Sequence, residues 1–209
     1  MLKLKTHKIV FAFASAGLVQ FAVASNAAIN ELQFFLGNTK SLSANFNQSV
    51  RQKSGKVENS RGQFFLLRPG KFKWTYAQPY NQEIISNGQQ VWLYDLDLAQ
   101  VTIKPASKAL DASPAAILTG NNNLSQSFNL QTLPSKNGIS WVALTPKNKD
   151  ASFAQIRIGL LKGQLDRMEL DDQFNQTTSI QFSKMQQNQP MSAQAFNFTP
   201  PQGVDVIRE

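Results

Sequence analysis

From Leu42 to Phe182 most of the chain consists of short segments in which apolar and polar residues alternate. That period of two limits the fold more than any other feature, because successive side chains of a strand point to opposite faces. Leu42, Ala44, Phe46, Gln48 and Val50 alternate with polar partners. A polar turn over 52–59 leads to a second strand over 62–68, and Pro69-Gly70 is a turn signal. Phe72 and Trp74 then share one face, with Lys71 and Lys73 on the other. Asn87-Gly88, flanked by Glu83-Ile84-Ile85-Ser86 and Val91-Trp92-Leu93-Tyr94, is the strongest hairpin signal. Asp95 to Asp97 turns into a strand over 99–103, and strands resume over 139–144, 154–160, 167–170 and 178–182. This succession implies one large antiparallel sheet with one face in solvent and one to bury.

Two short segments depart from the alternation. Ile29, Leu32, Phe35 and Leu36 recur at helical spacing up to Gly37, which is placed to close a helix in a left-handed conformation. Between Ala106 and Leu130, Ser113 as N-cap and Pro114 at the first helical position start a short helix through Leu118, which Asn121 to Asn123 end. With so few helices, the sheet's apolar face must be closed by curvature, by these helices or by a ligand. At the start of the chain, Lys3, Lys5 and Lys8 precede an apolar run from Ile9 to about Ala24, and Ala22-Val23-Ala24 offers small residues for cleavage. The expectation is a secretory signal over 1–24, with the cut as late as 27, and one domain over 25–209. Removing those three lysines lowers the formal charge from +8 to +5, a balance that does not point to nucleic acid without arginine-interleaved aromatics.

The single histidine, His7, lies in the expected signal, and there is no cysteine. The processed chain therefore lacks the residues for Ser-His-Asp or Cys-His catalysis and for the usual zinc sites. The closest acid pairs, Asp95/Asp97 and Asp171-Asp172, fall where turns are expected. No enzyme, metal or cofactor is expected, and no disulfide.

Arg68-Pro69-Gly70-Lys71-Phe72-Lys73-Trp74, then Gln78-Pro79, Ser86-Asn87-Gly88 and Val91-Trp92-Leu93-Tyr94, resemble the LolA family of periplasmic outer-membrane lipoprotein carriers. Ala44-Asn45-Phe46-Asn47-Gln48, Leu144-Thr145-Pro146-Lys147 and Phe196 through Val204 match in the same order along the chain. The resemblance implies an incomplete antiparallel β-barrel, mainly β in class, with an N-terminal helix and a short helical lid over an apolar cavity. It also implies a monomeric periplasmic chaperone of a Gram-negative bacterium. Such a carrier takes acylated lipoproteins from an inner-membrane ABC transporter and passes them to an outer-membrane receptor. The alternative is a related half-barrel that binds lipid or senses lipoproteins without transferring them. A lipidated receptor would need the missing cysteine, and a sensor would usually carry a further domain.

Carried over residue by residue, the resemblance makes Phe72 and its neighbour Trp74 cavity residues. Phe46, Phe64 and Leu66 join them as expected acyl-chain contacts, and Ile117 and Leu118 complete the set from the lid. Strand parity leaves open whether Trp92 and Tyr94 or Val91 and Leu93 face inward; Trp92 is included among the acyl-chain contacts, with structural packing as its alternative. Arg68 shares parity with Phe64 and Leu66, and the resemblance makes it a lid latch. An inward arginine needs hydrogen-bond partners, and lid carbonyls are the obvious ones. Ala115 and Ala116 are smaller than expected in a lid. The basic run Arg51, Lys53, Lys56, Arg61, Lys71 and Lys73 reads either as a solvated sheet face or as a surface for an acidic partner or anionic headgroups.

Overall fold

The alternating segments form a single twelve-stranded sheet in the computed structural model, which describes residues 26–109, 114–119 and 124–209. Helix α1 (Ala27–Asn38) precedes a meander of β1 (Ser41–Arg51), β2 (Val57–Leu67), β3 (Lys71–Gln78), β4 (Gln82–Asn87), β5 (Gln90–Asp95) and β6 (Gln100–Pro105). Three short helices follow: α2 (Ala106–Ala109), α3 (Pro114–Thr119) and α4 (Leu124–Ser127). A second meander runs through β7 (Phe128–Lys136), β8 (Ile139–Pro146), β9 (Phe153–Leu161), β10 (Gln164–Asp172) and β11 (Thr177–Gln187). A 3₁₀ turn (Ala193–Phe196) leads to β12 (Asp205–Arg208).

The order across the sheet is β12-β6-β5-β4-β3-β2-β1-β11-β10-β9-β8-β7. Antiparallel pairing of β1 with β11 joins the two meanders, and β12 alone pairs in parallel, against β6. The outermost strands β12 and β7 are not paired with each other, so the barrel is incomplete, as the family resemblance implied. The turns at 68–70, 87–89, 137–138 and 162–163 gather at one end, and those at 52–56, 79–81, 96–99, 147–152 and 173–176 at the other.

Three local expectations change. Gly37 does not end α1, because the helix continues to Asn38 and caps on Thr39, whose N–H donates to the Phe35 carbonyl. The second strand begins earlier, at Val57, and leaves a tighter turn before it. Strand β7 was not visible in the sequence. It is an edge strand, largely exposed or half-buried and carrying Pro134, so no apolar alternation marks it. Ser113 and Asn121 to Asn123, the expected ends of the lid helix, lie outside the described residues, as does the expected signal.

The main core lies on one face, the inner one. Phe46, Phe64, Leu66, Phe72 and Trp74 of β1–β3 meet Val142, Leu144, Ile156, Ile158, Leu160 and Met168 of the second meander, beneath α1 and α3. Helix α1 packs against β7, β8 and β9, whereas α3 packs against β2 and β3. Gly62 makes the close approach possible: a Cβ there would lie 1.8 Å from the Thr75 carbonyl oxygen and 3.0 Å from the Phe46 ring.

Candidate functional site: an apolar inner wall under a latched helix

Register decides what lines the wall. Phe46 lies opposite Gly62 and Phe182, Phe64 opposite Trp74, and Leu66 opposite Phe72, so these side chains share one face. Their rings interlock, with centroids 5.0 Å apart for Phe46–Trp74 and 4.6 Å for Phe64–Trp74. Tyr76 continues the row edge-on to Phe46, and its hydroxyl donates to Gln48 at 3.2 Å. Burial pushes the Tyr76 phenol up to about 12, with the Gln48 hydrogen bond working weakly in the other direction. Beyond Tyr76 the lining turns polar, and a cavity of about 370 Å3 opens among Gln48, Val50, Lys56, Glu58 and Tyr80. The wall is therefore graded, apolar towards the 68–70 turn and polar towards the 52–56 turn.

Helix α3 covers the apolar part. Ile117 and Leu118 are 4% and 1% exposed and belong to the same cluster as Phe46, Phe64, Leu66, Phe72 and Trp74. Arg68 stands one residue beyond β2, with its Nη2 donating to the Leu118 carbonyl at 2.6 Å. The last carbonyls of a helix have no intrahelical partner, so this one can accept without breaking the helix. Burial pulls the guanidinium below its ordinary value, but an arginine remains cationic. The contact is thus a charge-assisted hydrogen bond.

Arg68 is itself held from behind by the Ser86-Asn87-Gly88 motif and by Lys40, just before β1. Its backbone N–H donates to the Lys40 carbonyl at 2.9 Å. Ser86, fully buried, donates from Oγ to the Gly70 carbonyl at 2.9 Å and accepts from the Gly88 N–H at 3.1 Å. The two turns lie so close that a Cβ on Gly70 would come within 3.1 Å of the Gly88 Cα, and Gly70 has a φ of +69° that a side chain would strain. The Ser86-Asn87-Gly88 motif therefore clamps the 68–70 turn from which Arg68 reaches α3. The available signal was a small hydroxyl residue on the inward parity at a turn, where an apolar residue would be ordinary.

Trp92 parts from the other expected acyl-chain residues. It pairs with Ile85, which itself lies opposite Lys73, so parity carries both to the outer face. There Ile85, Trp92, Val101 and Ile103 form a second, separate cluster covered by Phe198, Val204 and Val206. Phe198 packs 6.1 Å from Trp92 and 5.5 Å from Tyr94. The alternative, structural reading is what the geometry places here, and Leu93 and Val91 carry the inward parity.

Several of the remaining charged residues have local partners. Arg157 bridges Glu169 at 2.8 Å and Asp171 at 2.6 Å, and Asp172 accepts the Phe174 and Gln176 N–H groups, both at 2.8 Å. Asp95 accepts the Leu98 N–H, and Asp97 binds both the backbone and side chain of Asn81, which holds its carboxyl below the usual range. The basic run divides between the two ends of the sheet: Lys56 pairs with Glu58 at one, and Lys73 with Glu83 towards the other.

A family model described as "Outer membrane lipoprotein carrier protein LolA" matches residues 37–199. The chain is 44% identical over 193 residues to an outer-membrane lipoprotein carrier protein of Chromobacterium violaceum, covering 92% of each. It is 42% identical over 188 residues to the protein of that name in Dechloromonas aromatica, covering 90% of each. For Neisseria meningitidis serogroup B the figures are 43% over 206 residues, 98% of this chain and 99% of that one. Among solved structures, a LolA superfamily protein from Nitrosomonas europaea superposes with a TM-score of 0.52 at 12% identity, over 83% of this chain and 97% of that one. A putative outer membrane lipoprotein-sorting protein domain from Vibrio parahaemolyticus gives 0.51 at 13%, over 83% and 96%. These two likenesses concern the fold.

Proposed function

The chain belongs to the LolA family of outer-membrane lipoprotein carrier proteins, and on that premise we propose that it shields lipoprotein acyl chains against its inner wall while crossing the periplasm. The observation that carries the reading is a continuous apolar wall closed by a helix held at its edge by Arg68. The acyl-chain contacts are Phe46, Phe64, Leu66, Phe72 and Trp74 from the sheet and Ile117 and Leu118 from α3. All seven are at most 4% exposed, so chains enter only when the helices move aside. The protein performs no chemistry on its cargo. A signal over 1–24 directs it to the periplasm, an inner-membrane ABC transporter loads it, an outer-membrane receptor unloads it, and it acts as a monomer.

Magnitudes assign the latch its role. Burying acyl chain is worth ~0.8 kcal/mol per methylene, so a dozen buried methylenes contribute roughly 10 kcal/mol. A hydrogen bond from a charged donor contributes about 1.5–3 kcal/mol. The Arg68–Leu118 contact therefore cannot keep cargo out. It biases the empty protein towards closure, and closure competes with the cargo when it is handed on. Non-directional apolar contacts accept chains of differing length.

The test is a release assay. Spheroplasts carrying newly made, labelled lipoprotein are incubated with the mature protein, and a soluble one-to-one complex is expected in the supernatant. Arg68→Leu is expected to load equally but to transfer poorly to outer membranes. Lipoprotein that stays in the membrane, with a competent transporter and a folded carrier present, would overturn the carrier reading. Normal transfer by Arg68→Leu would remove only the latch.

A further inference from the structure

The sheet is electrically polarised along its strands. At the end that carries the 68–70 turn stand Lys40, Lys71, Lys136, Lys162 and Lys184, and none forms an ion pair among the described residues. All but half-buried Lys71 are exposed. The acids near that end are already engaged: Glu31 accepts the Gly163 N–H, Asp166 pairs with Arg167, and Glu209 pairs with Lys104. The opposite end carries Glu58, Asp95, Asp97, Asp150 and Asp172, but these are balanced by Arg51, Lys53, Lys56, Lys147 and Lys149, so the surplus of cations lies at the first end.

Two of the lysines stand where the backbone does not favour them. The β7–β8 and β9–β10 hairpins end side by side in two-residue loops of matching shape. Asn137-Gly138 has φ of +54° and +75°, and Lys162-Gly163 has +52° and +77°. Asn-Gly is the preferred pair for such a loop, since asparagine tolerates left-handed backbone and most side chains do not. Lys184, with φ +50°, occupies the bulge where β11 gains a residue against β1. A chain that uses asparagine in one loop carries lysine at two equivalent backbone positions, and both lysines are exposed at the same end. Backbone strain of this kind points towards use.

We propose that this lysine-bearing end is a docking surface for anionic phospholipid headgroups, which brings the edge of the lid and Arg68 against the membrane surface. Charge complementarity favours it, and the residue type distinguishes lipid from protein. Five flexible point charges spread over separate turns suit a diffuse anionic layer. Protein interfaces are enriched instead in arginine and depleted in lysine. The opposite end, where acids and bases are balanced, offers no comparable surplus of positive charge. The inference goes beyond the carrier reading and is tested without cargo.

The experiment is co-sedimentation of the mature protein with vesicles at low ionic strength, comparing phosphatidylglycerol-containing with pure phosphatidylcholine vesicles. Salt-sensitive adsorption to the anionic vesicles alone is expected. Each lysine near an anionic surface contributes on the order of fivefold in affinity, so Lys162→Asn with Lys184→Asn should weaken adsorption roughly 25-fold. Because asparagine suits both backbones, that double variant should melt no earlier than the wild type, which separates lost adsorption from misfolding. The charge-matched control is Lys53→Gln with Lys149→Gln at the opposite end, expected to adsorb within about twofold of wild type. Equal losses in the two double variants would reduce the effect to net charge and overturn the proposal. Absence of adsorption, or equal adsorption to neutral vesicles, would overturn it too and leave an acidic protein as the occupant to test.

Discussion

The inner and outer faces of the sheet each carry an apolar cluster, and the two are covered in different ways. On the outer face Ile85, Trp92, Val101 and Ile103 lie under the C-terminal segment, which is bound into the sheet by β12 pairing with β6 and by Phe198 packing on Trp92 and Tyr94. On the inner face a much larger cluster lies under α1 and α3, and α3 meets the end of β2 through the charged Arg68–Leu118 hydrogen bond rather than through strand pairing. Strand hydrogen bonds with aromatic packing make a cover that lifts only when the domain unfolds. A short helix held by side-chain contacts can leave at lower cost than a paired strand. On the proposed carrier reading, the same physics of apolar burial gives a permanent core on one face and an accessible wall on the other.

The comparison is tested most severely by loosening the permanent cover. Phe196, 1% exposed, anchors the 3₁₀ turn that packs on β3 and β4. Phe196→Ala is expected to cost about 3–5 kcal/mol, read as a lower denaturant midpoint at unchanged slope. Acyl-chain binding per folded molecule should be unaltered. A variant that instead keeps its stability and changes its lipid affinity would mean that the C-terminal segment is itself a movable lid.

A smaller effect is expected from the brace behind the latch. Ser86→Ala removes a buried donor to Gly70 and an acceptor for Gly88, which should cost about 1–2 kcal/mol. If Ser86 acts through Arg68, transfer to outer membranes should fall in the same direction as in Arg68→Leu, and adding Ser86→Ala to Arg68→Leu should cause little further loss of transfer. Ser86→Thr, which keeps the hydroxyl, should restore part of the transfer. Additive transfer defects would make Ser86 a stability residue only.

How far the sequence disclosed this arrangement depended on what each residue had to satisfy. Alternation and turn residues located most strands because the strands of one buried face must keep their parity, and Asn87-Gly88 fell where the hairpin is. The polar edge strand β7 was missed because no face of it demands an apolar row. Parity alone brought Phe64, Leu66 and Arg68 to the same side, and the Leu118 carbonyl is where an inward guanidinium could be satisfied. Trp92 was misplaced for the converse reason: between Val91-Trp92-Leu93-Tyr94, both parities are apolar, so alternation carries no information about direction. What covers the outer face at Trp92 comes from more than a hundred positions further along the chain, and only the register settled it. Ser86 belongs to a motif visible in the sequence, but its role depends on two turns meeting in space, which no local pattern encodes.

The smallest perturbation separates the two faces directly. Trp74 and Trp92 lie on opposite sides of the sheet, in the inner and outer clusters respectively. In a Trp141→Phe background, single-tryptophan proteins made by Trp92→Phe or Trp74→Phe report one face each, and Trp92→Phe itself should cost ~1 kcal/mol or less, since the ring's packing surface is largely kept. A fatty acid brominated along its chain quenches an indole only at contact. Loading should therefore quench Trp74 strongly and leave Trp92 close to its unloaded intensity. Equal quenching of both would require the chains to reach the outer cluster, and the distinction between a movable and a permanent cover would then fail. Quenching of Trp74 alone would mean that acyl chains replace α3 against Phe46, Phe64 and Phe72, while Phe198 stays in place over Trp92.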